Sequence, residues 1–261
     1  MLRYCVIGFP IKHSLSPRIH NRAFRALKIA AKYEAAEVAP ADLGHFMREF
    51  RARYAGANVT IPHKEKIMRY LDEVSAEAQK IEAVNTIVHR RGKLIGYNTD
   101  VFGAMGALKK YTKLKGKKAV VLGAGGAARA IIYGLKKAGA RVKILNRTVS
   151  HAQKLARVFG CQYGKLEDFS PTDCDVLINT TSVGMWPKMA ETPLPDLLEK
   201  IAALSMKRKK PLVMDIVYRP RLTKLLRDAK KAGCPIITGD EMFLAQAVQS
   251  FKLWTKEKMP R

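Results

Sequence analysis

The sequence predicts an α/β protein of two domains, the second a doubly wound parallel sheet, with a last helix that packs back on the first. Three observations lead there. From Lys118 onward, short apolar strands alternate with helical stretches, the pattern of βα units in a parallel sheet. The strand Lys118-Ala119-Val120-Val121-Leu122 runs straight into Gly123-Ala124-Gly125-Gly126-Ala127-Ala128, a glycine-rich turn that opens a helix. Before residue 100 the chain is also α/β, but it holds no such turn and closes on a hairpin, so it forms a separate domain. The expected boundaries are 1–100, 101–237 and 238–261, the last being the returning helix.

Taken in order, residues 2–9 form an apolar strand that meets Gly8 and Pro10 too early to be a secretory signal. Ser16-Pro17 looks like an N-cap followed by proline at the first helical position, and Ile19, Ala23, Ala26 and Leu27 repeat behind it at helical spacing. Residues 33–38 and 57–61 read as short strands around a helix over about 41–53, and another helix is expected after Pro62. Thr86-Ile87-Val88 and Leu94-Ile95-Gly96 make a hairpin around Arg91-Gly92. In the second domain the glycine turn leads a helix through Leu135, then a strand at 141–145, a helix at 150–159 and strands at 175–178 and 212–215. The final helix, about 240–257, offers Met242, Ala245 and Val248 as its packing face.

Composition narrows the function classes. Hydrophobic residues make up 48% and charged residues 27%, which excludes a disordered chain, a collagen-like fibre and a small disulfide scaffold. No apolar run approaches the roughly 20 residues of a membrane span. Cys5, Cys161, Cys174 and Cys234 form no CxxC pair, and the six histidines show no HExxH or HxH spacing. No metal is therefore expected, and the cysteine usage suits a reducing cytoplasm. Charge is the one unusual quantity: 48 basic against 22 acidic residues give +26. Residues 1–100 hold 17 basic and 10 acidic residues, and 101–261 hold 31 and 12. The densest patches are 109–118, with six lysines, and Lys207-Arg208-Lys209-Lys210. Such a balance suits nucleic acid, an acidic membrane or small polyanions. Neither patch interleaves aromatic residues as a single-strand-binding groove does, so both read as solvated surface and a nucleic-acid partner is disfavoured.

The motifs point to a dinucleotide and an acid. Glycines in Gly123-x-Gly125-x-x-Ala128 let backbone approach a pyrophosphate, whose charge meets the N-terminus of the next helix, as in a Rossmann-like domain. An NAD site places an acid after the following strand to take the ribose hydroxyls. Here Asn146-Arg147-Thr148 stands there, and arginine can grip a 2′-phosphate that an acid would repel, so the cofactor reads as NADP. In the first domain, Ser14-Leu15-Ser16-Pro17 places two hydroxyls at a helix start, fitting either a carboxylate site or a plain N-cap at Ser16. The segments 58–64, 83–86 and 96–100 add hydroxyls, amides, Lys64 and Asp100. Together they form a set suited to a polyhydroxylated acid.

These motifs, in this order along nearly the whole chain, resemble the shikimate dehydrogenases. The resemblance rests on Ser14 to Pro17 with His20-Asn21, Asn58-Val59-Thr60-Ile61-Pro62-His63-Lys64, Ala83-Val84-Asn85-Thr86 and Asn98-Thr99-Asp100. It continues through Gly123 to Ala127, Asn146-Arg147-Thr148, 179–185, Tyr218, Gly239 and Gln246. It implies NADPH-dependent reduction of 3-dehydroshikimate to shikimate in aromatic amino-acid biosynthesis, by a cytoplasmic monomer or homodimer with no membrane partner. The first domain would bind substrate, with Lys64 and Asp100 the catalytic pair and Ser14 and Ser16 on the carboxylate. Thr60, Lys64, Asn85, Asp100, Tyr218 and Gln246 would hold ring hydroxyls or frame the pocket. Gly123, Ala124, Gly125, Gly126, Ala127, Asn146, Arg147 and Thr148 would bind NADP, with Thr181, Ile216 and Gly239 lining the nicotinamide side. Two positions depart from the family pattern: His151 stands where a second basic residue is common, and Val101 where glycine follows the acid. A quinate/shikimate dehydrogenase with relaxed cofactor use, or a nucleotide- or nucleic-acid-binding protein on the same fold, are the competing readings. Retention of both Lys64 and Asp100 favours the enzyme.

Overall fold

The apolar N-terminal run becomes β1 (Leu2–Gly8), flanked on both sides within a six-stranded sheet. The computed structural model describes residues 1–12, 14–204 and 209–260. Within them the chain forms two units, residues 1–100 with 246–261, and residues 101–245. In the first unit β1 is followed by α1 (Ser16–Ala26), β2 (Ala31–Glu37), α2 (Leu43–Arg53) and β3 (Gly56–Val59). After these come β4 (Glu73–Val74), α3 (Ala76–Ile81), β5 (Thr86–Arg90) and β6 (Lys93–Tyr97). The strand order is β2-β1-β3-β5-β6-β4, with β1 parallel to β2 and β3, and β5 antiparallel to β3 and β6.

Successive residues of β1 face opposite sides. Tyr4 and Val6 pack with Ala23 and Phe24 of α1, whereas Cys5 and Ile7 pack with Leu43, Met47 and Phe50 of α2. A strand covered on both faces must be apolar throughout, which is why this one reads as a run and not as an alternation. The β5–β6 hairpin turns on Arg91-Gly92, with φ of 50° and 76°, the left-handed pair that lets a two-residue turn match strand twist. The helix expected after Pro62 forms as a single 3-10 stretch, Lys66–Tyr70, with Ile67 buried and Met68 and Tyr70 partly buried against the core, and a short α-helix, α3, follows before the hairpin.

His20 of α1 is fully buried in the first unit, stacked on Tyr33 at 4.5 Å and edge-on to Trp254 at 5.1 Å. Neither ring nitrogen makes a hydrogen bond. Burial lowers its pKa from 6.5 to about 3, with Asn58 offsetting only part of that effect. A folded-state pKa below the unfolded one means the neutral ring supports folding fully above pH 6.5, and that support is lost as pH falls toward 3. The loss is on the order of 5 kcal/mol. His20→Phe keeps the stacked shape without a titratable nitrogen, so urea unfolding followed by tryptophan emission should show a flatter acid limb than wild type. Parallel limbs would mean that the ring does not report on folding.

α4 (Asp100–Lys109) starts at the last residue of the first unit and continues in the second, where it precedes β7 (Lys118–Leu122), α5 (Gly126–Lys137), β8 (Arg141–Leu145), α6 (Val149–Phe159) and β9 (Gln162–Gly164). Then come β10 (Val176–Asn179), α7 (Leu197–Ala202), β11 (Leu212–Asp215), α8 (Lys224–Lys231), β12 (Ile236–Ile237) and α9 (Gly239–Thr255). The order is β12-β11-β10-β7-β8-β9 and every pairing is parallel. The chain winds one way from β7 to β9 and the other way from β10 to β12, which is the doubly wound arrangement expected from the alternation. Its direction reverses between β7 and β10, and the carboxyl ends of those two strands are where such sheets bind ligands. One face is packed by Leu197 and Ile201 of α7 and Leu225, Leu226 and Ala229 of α8.

Residues of α9 up to 245 belong to the second unit and those from 246 to the first, where Phe251 packs with Tyr4 and Phe24. Its packing face differs from the expected one: Val248 is exposed, and the buried positions are Met242, Gln246, Ala247, Ser250 and Phe251. Two of these are polar, so an apolar periodicity could not register them. The lysine-rich stretch 109–118 is partly neutralised within the unit, Lys110 by Glu241, Lys117 by Asp175 and Lys118 by Asp173. Of the second basic patch, Lys207 and Arg208 lie outside the described residues.

Candidate active site

In the first unit, side chains from two separate sequence segments, Lys64 and Asn85, converge on the Asp100 carboxylate. The turn after β3 is held by the His63 amide donating to Thr60 O and by the buried His63 ring, whose Nε2 lies 2.7 Å from Val38 O. This leaves Lys64 next along the turn, where its Nζ donates to Asp100 Oδ2 at 2.5 Å. Both side chains are largely withdrawn from water, at 12% and 7% exposure. Asn85 Nδ2 donates to the other carboxylate oxygen at 2.8 Å, and the Asp100 amide donates to Asn98 Oδ1 at 3.1 Å. Thus each carboxylate oxygen has its own donor, and the ion pair has a fixed orientation.

The serine pair is arranged differently from a plain cap. α1 begins at Ser16 itself, the preceding Leu15 makes no side-chain cap, and the Ser16 amide donates to Ser14 Oγ at 3.3 Å. Ser16 is therefore inside the first turn, displaced by one position because Ser14 satisfies its amide from outside the helix. Thr60 is partly buried at the end of β3, its amide donating to Ile7 O. Gln246 lies 3.5 Å from Thr99 Oγ1. Tyr218 belongs to the second unit, where it stacks on Phe243 at 4.4 Å.

The second unit gathers the dinucleotide motifs at the strand ends flanking its reversal. Gly123 ends β7 with φ of 106°, and a Cβ there would come within 2.7 Å of Thr180 Oγ1. Gly125 is exposed, and a Cβ would project into open space, the space a phosphate needs to approach backbone. Ala124 lies between them, and α5 opens at Gly126-Ala127 with its first amides directed outward along the helix axis. At the end of β8, Asn146 Nδ2 donates to Thr148 O, while Arg147 and Thr148 are exposed and the Thr148 hydroxyl does not cap α6. A phosphate-bearing dinucleotide therefore fits this set of residues.

Thr181 and Ile216 are linked through Asn179 to a buried acid that the sequence reading did not single out. Asp215 is fully buried at the end of β11 and accepts from Thr223 Oγ1, Asn179 Nδ2 and the Val217 amide. Burial raises its carboxyl to about 6, the three donors opposing. Asn179 Oδ1 accepts in turn from the Thr181 amide and hydroxyl, and Asn179 O from the Ile216 amide. At Gly239 a Cβ would lie 2.4 Å from Val217 O, so no larger residue fits. The sequence signal was present in Asp215 ending an apolar strand, a place where an unpartnered acid would be expensive. Among the described residues, no group of three or more histidine, cysteine, aspartate or glutamate side chains could hold a metal ion, and no helix is long and apolar enough to cross a membrane.

With that geometry in place, the relatives are informative. Residues 6–87 match the model of the shikimate dehydrogenase substrate binding domain, and residues 106–221 that of shikimate / quinate 5-dehydrogenase. The chain is 44% identical over 255 residues to the NADP(+) shikimate dehydrogenase of Pyrococcus abyssi, covering 97% of this chain and 91% of that one. Among solved structures it is similar to shikimate 5-dehydrogenase from Thermus thermophilus in complex with NADP(H) and shikimate. That similarity has a TM-score of 0.88 and 39% identity, over 100% of this chain and 95% of the other. It is also similar to the ligand-free 5-ketofructose reductase of a Gluconobacter strain, with TM-score 0.85 and 31% identity over 99% and 94%.

Proposed function

The chain belongs to the shikimate dehydrogenase family, and we infer that it catalyses the reversible NADPH-dependent reduction of 3-dehydroshikimate to shikimate in aromatic amino-acid biosynthesis. The observation that carries the assignment of roles is the Lys64–Asp100 pair, largely buried and oriented by Asn85. A ligand-binding protein has no use for a proton donor held this way.

Ser14 and Ser16 hold the substrate carboxylate; Thr60, Lys64, Asn85, Asp100, Tyr218 and Gln246 hold ring hydroxyls or frame the pocket. Gly123 to Ala127 hold the pyrophosphate of NADP, Asn146 to Thr148 its adenosine 2′-phosphate, and Thr181, Ile216 and Gly239 the nicotinamide side. When bound, NADPH supplies a hydride to the ring carbonyl carbon. Negative charge then develops on the carbonyl oxygen, and the Lys64 ammonium stabilises it and donates the proton. An ammonium has three donors, so one can stay on Asp100 while another reaches the substrate oxygen. Asp100 holds Nζ in place and accepts from a neighbouring ring hydroxyl. In the oxidation direction Lys64 takes the hydroxyl proton.

In this division residues 1–100 carry substrate binding and catalysis, residues 101–237 hold the cofactor, and the 238–261 segment returns to the first domain. The four cysteines are free, which suits a reducing cytoplasm. The chemistry requires no partner beyond substrate and cofactor, so one chain, alone or as a homodimer, is the working unit.

Ser14→Ala and Ser16→Ala should each raise KM for shikimate by roughly 10- to 100-fold, the effect of losing a hydrogen bond to a charged group. If Ser14→Ala instead lowered only the melting temperature, its bond to the Ser16 amide would be its whole role. The function itself is tested by the product. With NADPH and 3-dehydroshikimate the protein should form shikimate in equal amount to the NADPH consumed. Consumption of NADPH with a neutral ketose such as 5-ketofructose, and none with 3-dehydroshikimate, would overturn the reading.

A further inference from the structure

Ser250 lies on α9, outside the substrate constellation, and is fully buried. Its Oγ donates to Gln246 O at 3.1 Å, one turn back on the helix, which leaves its lone pairs for the sheet. Asn58 Nδ2 donates to it at 2.9 Å, and the Thr86 and Thr99 hydroxyls lie 2.9 and 3.0 Å away. Thr99 meets both ends of the Asn85 amide: its amide donates to Asn85 Oδ1 at 2.7 Å, its Oγ1 lies 3.1 Å from the same oxygen, and its Oγ1 accepts from Asn85 Nδ2 at 3.0 Å. The same Asn85 nitrogen donates to Asp100 Oδ1. Both hydrogens of the Asn85 amide are therefore committed, one to Thr99 and one to Asp100, and a flipped amide would lose both.

We propose that Ser250 is a positioning residue for the reaction: it closes a buried hydroxyl–amide cluster that holds Asn85 in one orientation, and Asn85 fixes the Asp100 carboxylate against Lys64. This rests on the dehydrogenase reading above. Asn58, Thr86, Thr99 and Ser250 come from four separate segments and are all at most 6% exposed. Apolar side chains of similar size would fill the same space without the desolvation penalty of so many polar groups. What the polar set adds is direction: from Ser250 through Thr99 it leads to Asn85, and from Asn85 to the Asp100 carboxylate.

Ser250→Ala and Thr99→Val each delete one hydroxyl at nearly constant volume, and Thr99→Ser restores it. In shikimate oxidation, kcat per folded molecule should fall about 10-fold in each deletion variant. KM for NADP+ should hold within about two-fold, since no residue proposed for the cofactor is altered. Thr99→Ser should keep at least about half of the wild-type kcat. Because both hydroxyls act through Asn85, the double variant should fall about as far as either single variant and not about 100-fold. Unchanged kcat with a lowered melting temperature, additive losses, or failure of both deletion variants to fold would make the cluster purely structural and overturn the proposal. An inactive wild-type chain would overturn the dehydrogenase reading and this proposal with it.

Discussion

Lys64→Ala is expected to lower kcat by about 10²–10⁴-fold, the scale of removing a general acid from a carbonyl reduction. In the proposed mechanism the side chain supplies both the proton and the positive charge that meets the developing oxyanion, so the loss should appear in the chemical step. KM for shikimate should change far less, because the contacts proposed for Ser14, Ser16, Thr60 and Asn85 remain. The variant leaves Asp100 without its cation in a site where the carboxylate is only 7% exposed. Asn85 Nδ2 and the Asn98 side chain still hold Asp100, so folding should survive and steady-state kinetics can be read directly. Near-wild-type kcat would remove Lys64 from the mechanism.

Arg147→Asp is expected to weaken NADP+ binding by at least about 10²-fold, roughly 2.7 kcal/mol, while NAD+ binding holds or improves. The wild-type guanidinium is exposed just beyond β8, and in the proposed reading it pairs with a phosphate that NAD lacks. Aspartate at the same point removes the attraction and adds repulsion. The neighbouring side chains offer little compensation: Asn146 is engaged with Thr148 O, and His151 stands where a second fixed cation would help. The difference between wild type and variant should shrink as salt rises, since exposed charges are screened. Titration of both cofactors by fluorescence checks this. Equal loss of both would indicate damage to the fold, and no loss of either would show that Arg147 does not reach the cofactor.

The second unit was legible because each of its signals is local. The strand, the glycine turn and the helix of β7–α5 are contiguous in sequence, and Gly123 is required by its own φ and by Thr180 beside it. The hairpin at Arg91-Gly92 was legible for the same reason. Lys64 and Asp100 are 36 residues apart, and Ser250 lies 151 residues beyond Thr99. No periodicity links such positions, so their contacts appear only once β3, β6 and α9 are assembled. The missed features share a cause. Ser250 is a polar residue on the buried face of α9, and a reading by apolar spacing chose Val248 in its place; Gln246 on the same face was named only through the resemblance. The helix expected after Pro62 is present only as a five-residue 3-10 stretch, too short to show a helical apolar period. Ser16 as N-cap failed by one residue, because helix starts depend on which hydroxyl meets which amide.

The most direct test of the central claim is the initial rate of nicotinamide reduction, followed by near-ultraviolet absorbance, with shikimate or quinate each paired with NADP+ or NAD+. The fastest rate is expected with shikimate and NADP+, and Lys64→Ala should abolish most of it. No reduction in any of the four pairings, or an equal rate in the Lys64→Ala variant, would contradict the account.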